Sequence, residues 1–165
     1  MLLVVGEPVK RWTCAYKACQ ALCCRQNREV TLKDIEKIAK VTGMKKEDFI
    51  RVNPKKRSSP FILKKKGGKC VFLKKSFQCQ LHSIKAKPIL CQTYPFLLSR
   101  VIHGDEPIIE VKLAKDCPGL GKGPSFGDNS VRTVVENTKN YLDGLREVAK
   151  LSQQGVTPNQ MLKQK

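Results

Sequence analysis

The sequence predicts a small, cysteine-rich α+β domain, and three observations predict it. Apolar residues at helical spacing follow a capping residue at Thr31 and recur over a long stretch near the C-terminus. Between these stretches lie short apolar runs punctuated by glycine and proline, the texture of strands and turns. Eight cysteines in 165 residues are split between an N-terminal bunch and single positions far along the chain, so folding has to gather them. The expected parts are a helical hairpin, a short β-hairpin with further strands, and a long C-terminal amphipathic helix.

The elements follow in order. Thr31 is a good N-cap with Asp34 as a weak acidic form of the capping box, and Leu32, Ile35, Ile38 and Ala39 fall on one helical face. Gly43 ends that helix. A second helix is expected over Lys46 to Val52, stopped by Asn53-Pro54, so that the two form a hairpin over the cysteine bunch. Phe61-Ile62-Leu63 and Cys70-Val71-Phe72-Leu73, separated by a lysine-rich segment with Gly67-Gly68, read as a β-hairpin. Pro88 suits the first turn of a helix carrying Cys91 towards Tyr94-Pro95-Phe96. Ile108 to Ala114 reads as a strand delivering Cys117 to a glycine-rich turn at Pro118-Gly119-Leu120-Gly121. A final helix of about six turns buries Val131, Val134, Val135, Tyr141, Leu142, Leu145, Val148 and Ala149. Residues 1–155 are expected to form one domain and 156–165 a disordered tail.

Cys14, Cys19, Cys23 and Cys24 are followed by Cys70, Cys79, Cys91 and Cys117, enough thiols for two four-ligand sites or for one site with spares. Thiols pair as disulfides in oxidising compartments and stay open to metals in the reducing cytosol. Met1 to Val5 is too short an apolar run for a signal peptide and lacks a basic segment ahead of it, and no later run is long enough to span a membrane. A cytoplasmic metal-chelating protein is therefore expected, with all eight cysteines as candidate ligands. Adjacent side chains such as Cys23 and Cys24 tend to diverge, so the two are expected to serve different metals or to include one structural thiol. His82, three residues after Cys79, is either a further ligand or an imidazole orienting a thiolate. His103 is expected at the plain surface. Sulfur-rich ligation suits both zinc and iron-sulfur clusters.

The net charge is +18, from 32 basic and 14 acidic side chains. Runs such as Lys55-Lys56-Arg57, Lys64-Lys65-Lys66 and Lys74-Lys75 could neutralise the phosphates of a nucleic acid without reading its sequence. Such runs are more often solvated surface, and aromatic side chains do not interleave with them as single-strand binding requires.

The order Cys14-x4-Cys19-x3-Cys23-Cys24-Arg25, then Leu32-Lys33-Asp34-Ile35, Cys70-Val71-Phe72-Leu73, Cys79-Gln80-Leu81-His82, Lys87-Pro88-Ile89-Leu90-Cys91 and Tyr94-Pro95-Phe96 resembles the YkgJ-type cysteine-cluster family. That is the CxxCxxCC zinc- or iron-chelating domain, and the resemblance runs from about Trp12 to Cys117. It implies a cytoplasmic metal-chelating domain with zinc or iron left open. The first cysteine spacings are longer here than in the family's compact form, and Gln92 stands where an arginine often follows the cysteine. Two further classes stay open beside the chelating module. One is an iron-sulfur redox enzyme or accessory oxidoreductase with a protein electron-transfer partner. The other is a zinc-stabilised basic protein that binds nucleic acid. No P-loop, dinucleotide fingerprint or Ser/His/Asp arrangement points to another enzyme class.

Overall fold

The computed structural model describes residues 3–6, 8–102 and 108–164, so His103 lies outside the described residues. The chain opens with strands β1 (Leu3–Gly6) and β2 (Arg11–Trp12), the one-turn helix α1 (Tyr16–Cys19) and a 3-10 turn at Leu22–Cys24. Helices α2 (Leu32–Thr42) and α3 (Lys46–Phe49) lead to the short strands β3 (Ile50–Val52), β4 (Phe61–Leu63), β5 (Lys65–Lys66) and β6 (Lys69–Cys70). After α4 (Gln80–Ser83) and α5 (Ile89–Thr93) come the longer strands β7 (Phe96–Ile102), β8 (Ile108–Leu113) and β9 (Leu120–Ser125). Two helices close the chain, α6 (Asp128–Gln153) and α7 (Pro158–Lys163). The class is α+β, as the sequence predicts.

Helix α2 forms where the pattern places it. The Thr31 hydroxyl accepts from the Asp34 N–H at 3.1 Å, and the Asp34 carboxylate accepts from the Thr31 N–H at 3.0 Å, a complete capping box. Gly43, at φ 70°, ends the helix in the left-handed conformation that glycine adopts at least cost. Ile35 and Ile38 enter the main core beside Phe49, Phe61 and Phe72. The Phe49 and Phe72 rings meet tilted, 5.6 Å apart, and each buried phenylalanine contributes roughly 1.5–3 kcal/mol.

Strand β4 is the spine of this core and is buried along its whole length. On one edge it pairs antiparallel with β3, Ile50 facing Leu63 and Val52 facing Phe61. Its other edge takes the segment 28–30: the Val30 N–H donates to the Phe61 carbonyl at 3.0 Å and the Leu63 N–H to the Arg28 carbonyl at 2.9 Å. A second sheet in the order β1-β8-β7 has β8 parallel to β1 and antiparallel to β7. Phe96, Ile109, Val111 and Leu142 form its core, with Phe126 packed against Phe96. Helix α6 joins the two cores, giving Leu142 to one and Val148 to the other. Its Gly144 lies against α2, since a Cβ there would come within 2.5 Å of Thr31 Cγ2. Among the described residues no helix is long and apolar enough to cross a membrane.

Several expectations need correction. Residues 50–52 are not the end of a helix but strand β3, because pairing with β4 satisfies their backbone and buries Ile50. Phe61–Leu63 therefore does not pair with 70–73. The lysine-rich hairpin is smaller, with Lys65 opposite Cys70 and Lys66 opposite Lys69. The segment after Cys117 continues into β9, which pairs with β2. On α6, Val131 is 49% exposed and Ala149 is also exposed, while Thr138 and Gly144 are buried instead. Residues 158–163, expected in a disordered tail, form helix α7 instead. Thr157 and Gln160 close a second capping box, and Met161 and Leu162 insert into the main core.

Candidate metal centre

Separate devices place the cysteines. Strand β2, tied through the Thr13 N–H to the Gly119 carbonyl at 3.2 Å, delivers Cys14. Gln20 and Ala21 adopt left-handed backbone angles, φ 50° and 55°, which fold the chain into the 3-10 turn bearing Cys23 and Cys24. Cys70 ends the small β5–β6 hairpin, and a bridge between Leu73 and Cys79 brings the chain back beside it. Cys79 precedes α4, which is anchored by Leu81 at 1% exposure. Cys91 rides on α5, and the start of that helix is pinned to α2, where the Ile89 N–H donates to Asp34 Oδ1 at 3.0 Å. Across the gap, the Gln78 amide donates to the Tyr16 hydroxyl at 3.1 Å, joining the N-terminal loop to the 70–79 loop.

These devices converge on one cavity of about 790 Å³. Cys14, Cys23, Cys24, Cys70, Cys79 and Cys91 line it, and so does His82. Cys19 and Cys117 do not line it: the Cys19 thiol donates to the Tyr16 carbonyl at 3.9 Å, and Cys117 is buried near Tyr94. All eight cysteines are free thiols. Cys23 and Cys24, expected to diverge, face the same cavity because both sit in one tight turn. Among the described residues no three histidine, cysteine, aspartate or glutamate side chains are drawn together closely enough to hold an ion as they stand. The remaining walls are basic, apolar and neutral polar: Arg28, Lys37, Lys74, Lys85 and Lys87 line the cavity together with Trp12, Phe77, Leu81, Gln78 and Gln92, and among the described residues no carboxylate does.

The thiols differ in how readily they ionise. The adjacent Cys24 thiol can donate to the Cys23 thiolate, and with help from the Arg28 and Lys87 charges this outweighs burial and pulls Cys23 down to about 6. Cys24, as the donor of that pair and itself buried, is pushed well up. Burial raises Cys70 to about 11 and Cys91 to about 12, and it also raises Cys14. A thiol with a lowered pKa is ionised at lower pH, so in reduced, metal-free protein Cys23 is expected to react with iodoacetamide first. Mapping by mass spectrometry should give its reaction a midpoint well below that of an ordinary thiol, with Cys70 and Cys91 modified only in strong alkali. A Cys23 midpoint near an ordinary thiol's value of about 8.5 would show that Cys24 does not support its thiolate.

Sequence reasoning found the thiols but missed two residues that organise them. Arg28 is 7% exposed and reaches the cavity, yet nothing in its spacing marks it out from the other basic residues. Asp34 is legible as a cap, but its second oxygen, holding the Cys91 helix, is a contact 55 residues away in sequence.

Among known proteins, one family model matches residues 13–118, that of CxxCxxCC, described as "Putative zinc- or iron-chelating domain". No curated protein and no solved structure matches the chain.

Proposed function

Because the chain belongs to the CxxCxxCC family of zinc- or iron-chelating domains, we propose that it holds zinc or iron on the thiols of its cysteine-lined cavity. The observation that carries this reading is the convergence of six thiols, from separate segments, on one wall system without a carboxylate among the described residues. Sulfur donors suit zinc and iron rather than oxygen-seeking ions. Cys23, Cys24, Cys70, Cys79 and Cys91 are the strongest candidate ligands, with Cys14 at the rim. His82 lines the same cavity as a further candidate, whereas Cys19 and Cys117, which do not line it, stand outside the proposed ligand set. Four thiolates around a divalent ion leave a net charge of about −2, and the basic wall offsets it.

Bound zinc would act as a cross-link between the N-terminal turn, the 70–79 loop and α5, whereas an iron-sulfur cluster would also carry electrons. The cluster reading, and with it a redox role, draws support from the cavity's volume of about 790 Å³, which exceeds what a single liganded ion needs. The eight free thiols support, as part of the same reading, a reducing compartment such as the cytoplasm.

Anaerobic purification followed by metal and acid-labile sulfide analysis tests the reading. Stoichiometric zinc in colourless protein would make the centre a structural cross-link. Iron with sulfide and visible absorption would make it a cluster. Protein holding neither, and taking up neither after reduction, would overturn chelation.

A further inference from the structure

The side chain of Arg28 poses a question that chelation alone does not answer. A guanidinium stays charged at any ordinary pH, and a buried charge without a counter-charge is costly. Arg28 is 7% exposed, and no carboxylate pairs with it among the described residues. Its Nε–H donates to the Cys23 carbonyl at 3.0 Å, and its guanidinium carbon lies 5.2 Å from the centre of the Tyr94 ring. Those contacts leave Nη2 buried and without a hydrogen-bond partner. The backbone of Arg28 cannot drift from this place, because the Leu63 N–H holds its carbonyl to the central strand. Its charge acts on the thiols of both Cys23 and Cys91.

We propose that Arg28 is the built-in cationic partner of the metal–thiolate group, its free Nη2–H donating to a metal-bound sulfur of Cys23 or Cys91. The proposal rests on the chelation reading above. It makes Arg28 a positioning residue, which holds no metal itself but fixes and charge-balances the sulfurs that do. N–H donors to ligating sulfur tune a metal's affinity and potential, and losing a partner of this kind costs about 10–100-fold in affinity. Lysine would keep the charge but lose the planar fork that reaches the Cys23 carbonyl and a sulfur at once.

The test uses Co²⁺ as the probe on reduced, full-length wild type, Arg28→Met and Arg28→Lys. Chelator competition gives the affinity, and the sulfur-to-cobalt charge-transfer band reports on the sulfurs. Arg28→Met is expected to lose about 10–100-fold in Co²⁺ affinity and to shift the band. Arg28→Lys should recover part of the affinity but not the band position. Wild-type affinity and band in both variants would overturn the role of Arg28 while leaving chelation intact, whereas a wild type that takes up no Co²⁺ would overturn chelation and the role together. Should Arg28→Met not fold, wild type loaded with ¹¹³Cd decides: scalar coupling from the metal to an Arg28 Nη proton supports the hydrogen bond, and a resolved Nη proton without coupling refutes it.

Discussion

Substituting Cys79 with serine is expected to strip most of the metal from the protein and to lower its thermal midpoint by roughly 5–10 °C. The thiol stands where the 70–79 loop turns into α4, lines the cavity, and as a metal-bound thiolate would act on Cys24, Cys70 and Cys91, so it is central among the cavity sulfurs. Losing a ligand should weaken affinity by more than about 100-fold, since even partners outside the ligand shell are worth 10–100-fold. A ligand held at 100 times its dissociation constant stabilises the fold by about 2.7 kcal/mol. For a chain of this length each kcal/mol moves the midpoint by roughly 2–4 °C. Cys23→Ser should behave in the same way. Cys19→Ser should keep its metal, because that thiol faces the Tyr16 carbonyl rather than the cavity. Metal analysis beside thermal unfolding checks all three, and full metal content in both Cys23→Ser and Cys79→Ser would sink the ligand assignment.

Asp34→Ala should destabilise the metal-free protein by about 2–4 kcal/mol. One carboxylate serves three donors: the Thr31 N–H and hydroxyl at one oxygen and the Ile89 N–H at the other. Alanine would keep the residue-34 N–H on the Thr31 hydroxyl but remove the acidic half of the capping box, leaving the Thr31 and Ile89 donors unmet at about 1–3 kcal/mol each. Part of this is offset, because burial raises the Asp34 pKa despite the Thr31 and Ile89 hydrogen bonds, so the ionised group carries a cost of its own. An acid with a raised folded pKa makes the native state bind protons more readily, and its contribution to stability falls as pH rises through that pKa. Wild type should therefore lose some stability between its unfolded and folded Asp34 titrations as pH rises, and Asp34→Ala should lack that component. Glu29 works in the opposite direction. Burial opposes its charge, but Lys56 and the hydroxyls of Tyr141 and Ser59 outweigh it and hold the carboxyl low, so its contribution is lost as pH falls through that lowered value. Urea unfolding of metal-free wild type and Asp34→Ala across pH 3 to 7 checks the prediction, and a difference below about 0.5 kcal/mol at pH 7 would remove Asp34 from the role described. Metal affinity should fall as well, because the released Ile89 end of α5 carries Cys91.

Legibility followed the range of the interactions. Helix α2 could be read because its cap, its stripe and its glycine stop lie within a few residues of one another. The last strand-like residues of 46–52 could not, because Ile50–Val52 takes its conformation from β4, and the three residues Ile50-Arg51-Val52 are too few to carry a period that separates helix from strand. The Thr157–Gln160 capping box was present in the sequence, but only the core shows that Met161 and Leu162 give that short helix a reason to form. At the site the thiols announced themselves by type. The left-handed pair Gln20 and Ala21, which turns Cys23 and Cys24 to one side, carries no such mark, since neither residue favours that conformation.

The walls of the cavity also bear on what it would refuse. Magnesium and calcium, which seek carboxylate and carbonyl oxygens, would meet five positively charged side chains and, among the described residues, no carboxylate on the way to the thiols. Discrimination against hard ions thus lies as much in the acids missing from the lining as in the sulfurs present, and a single aspartate at Lys87 or Gln92 would begin to erode it.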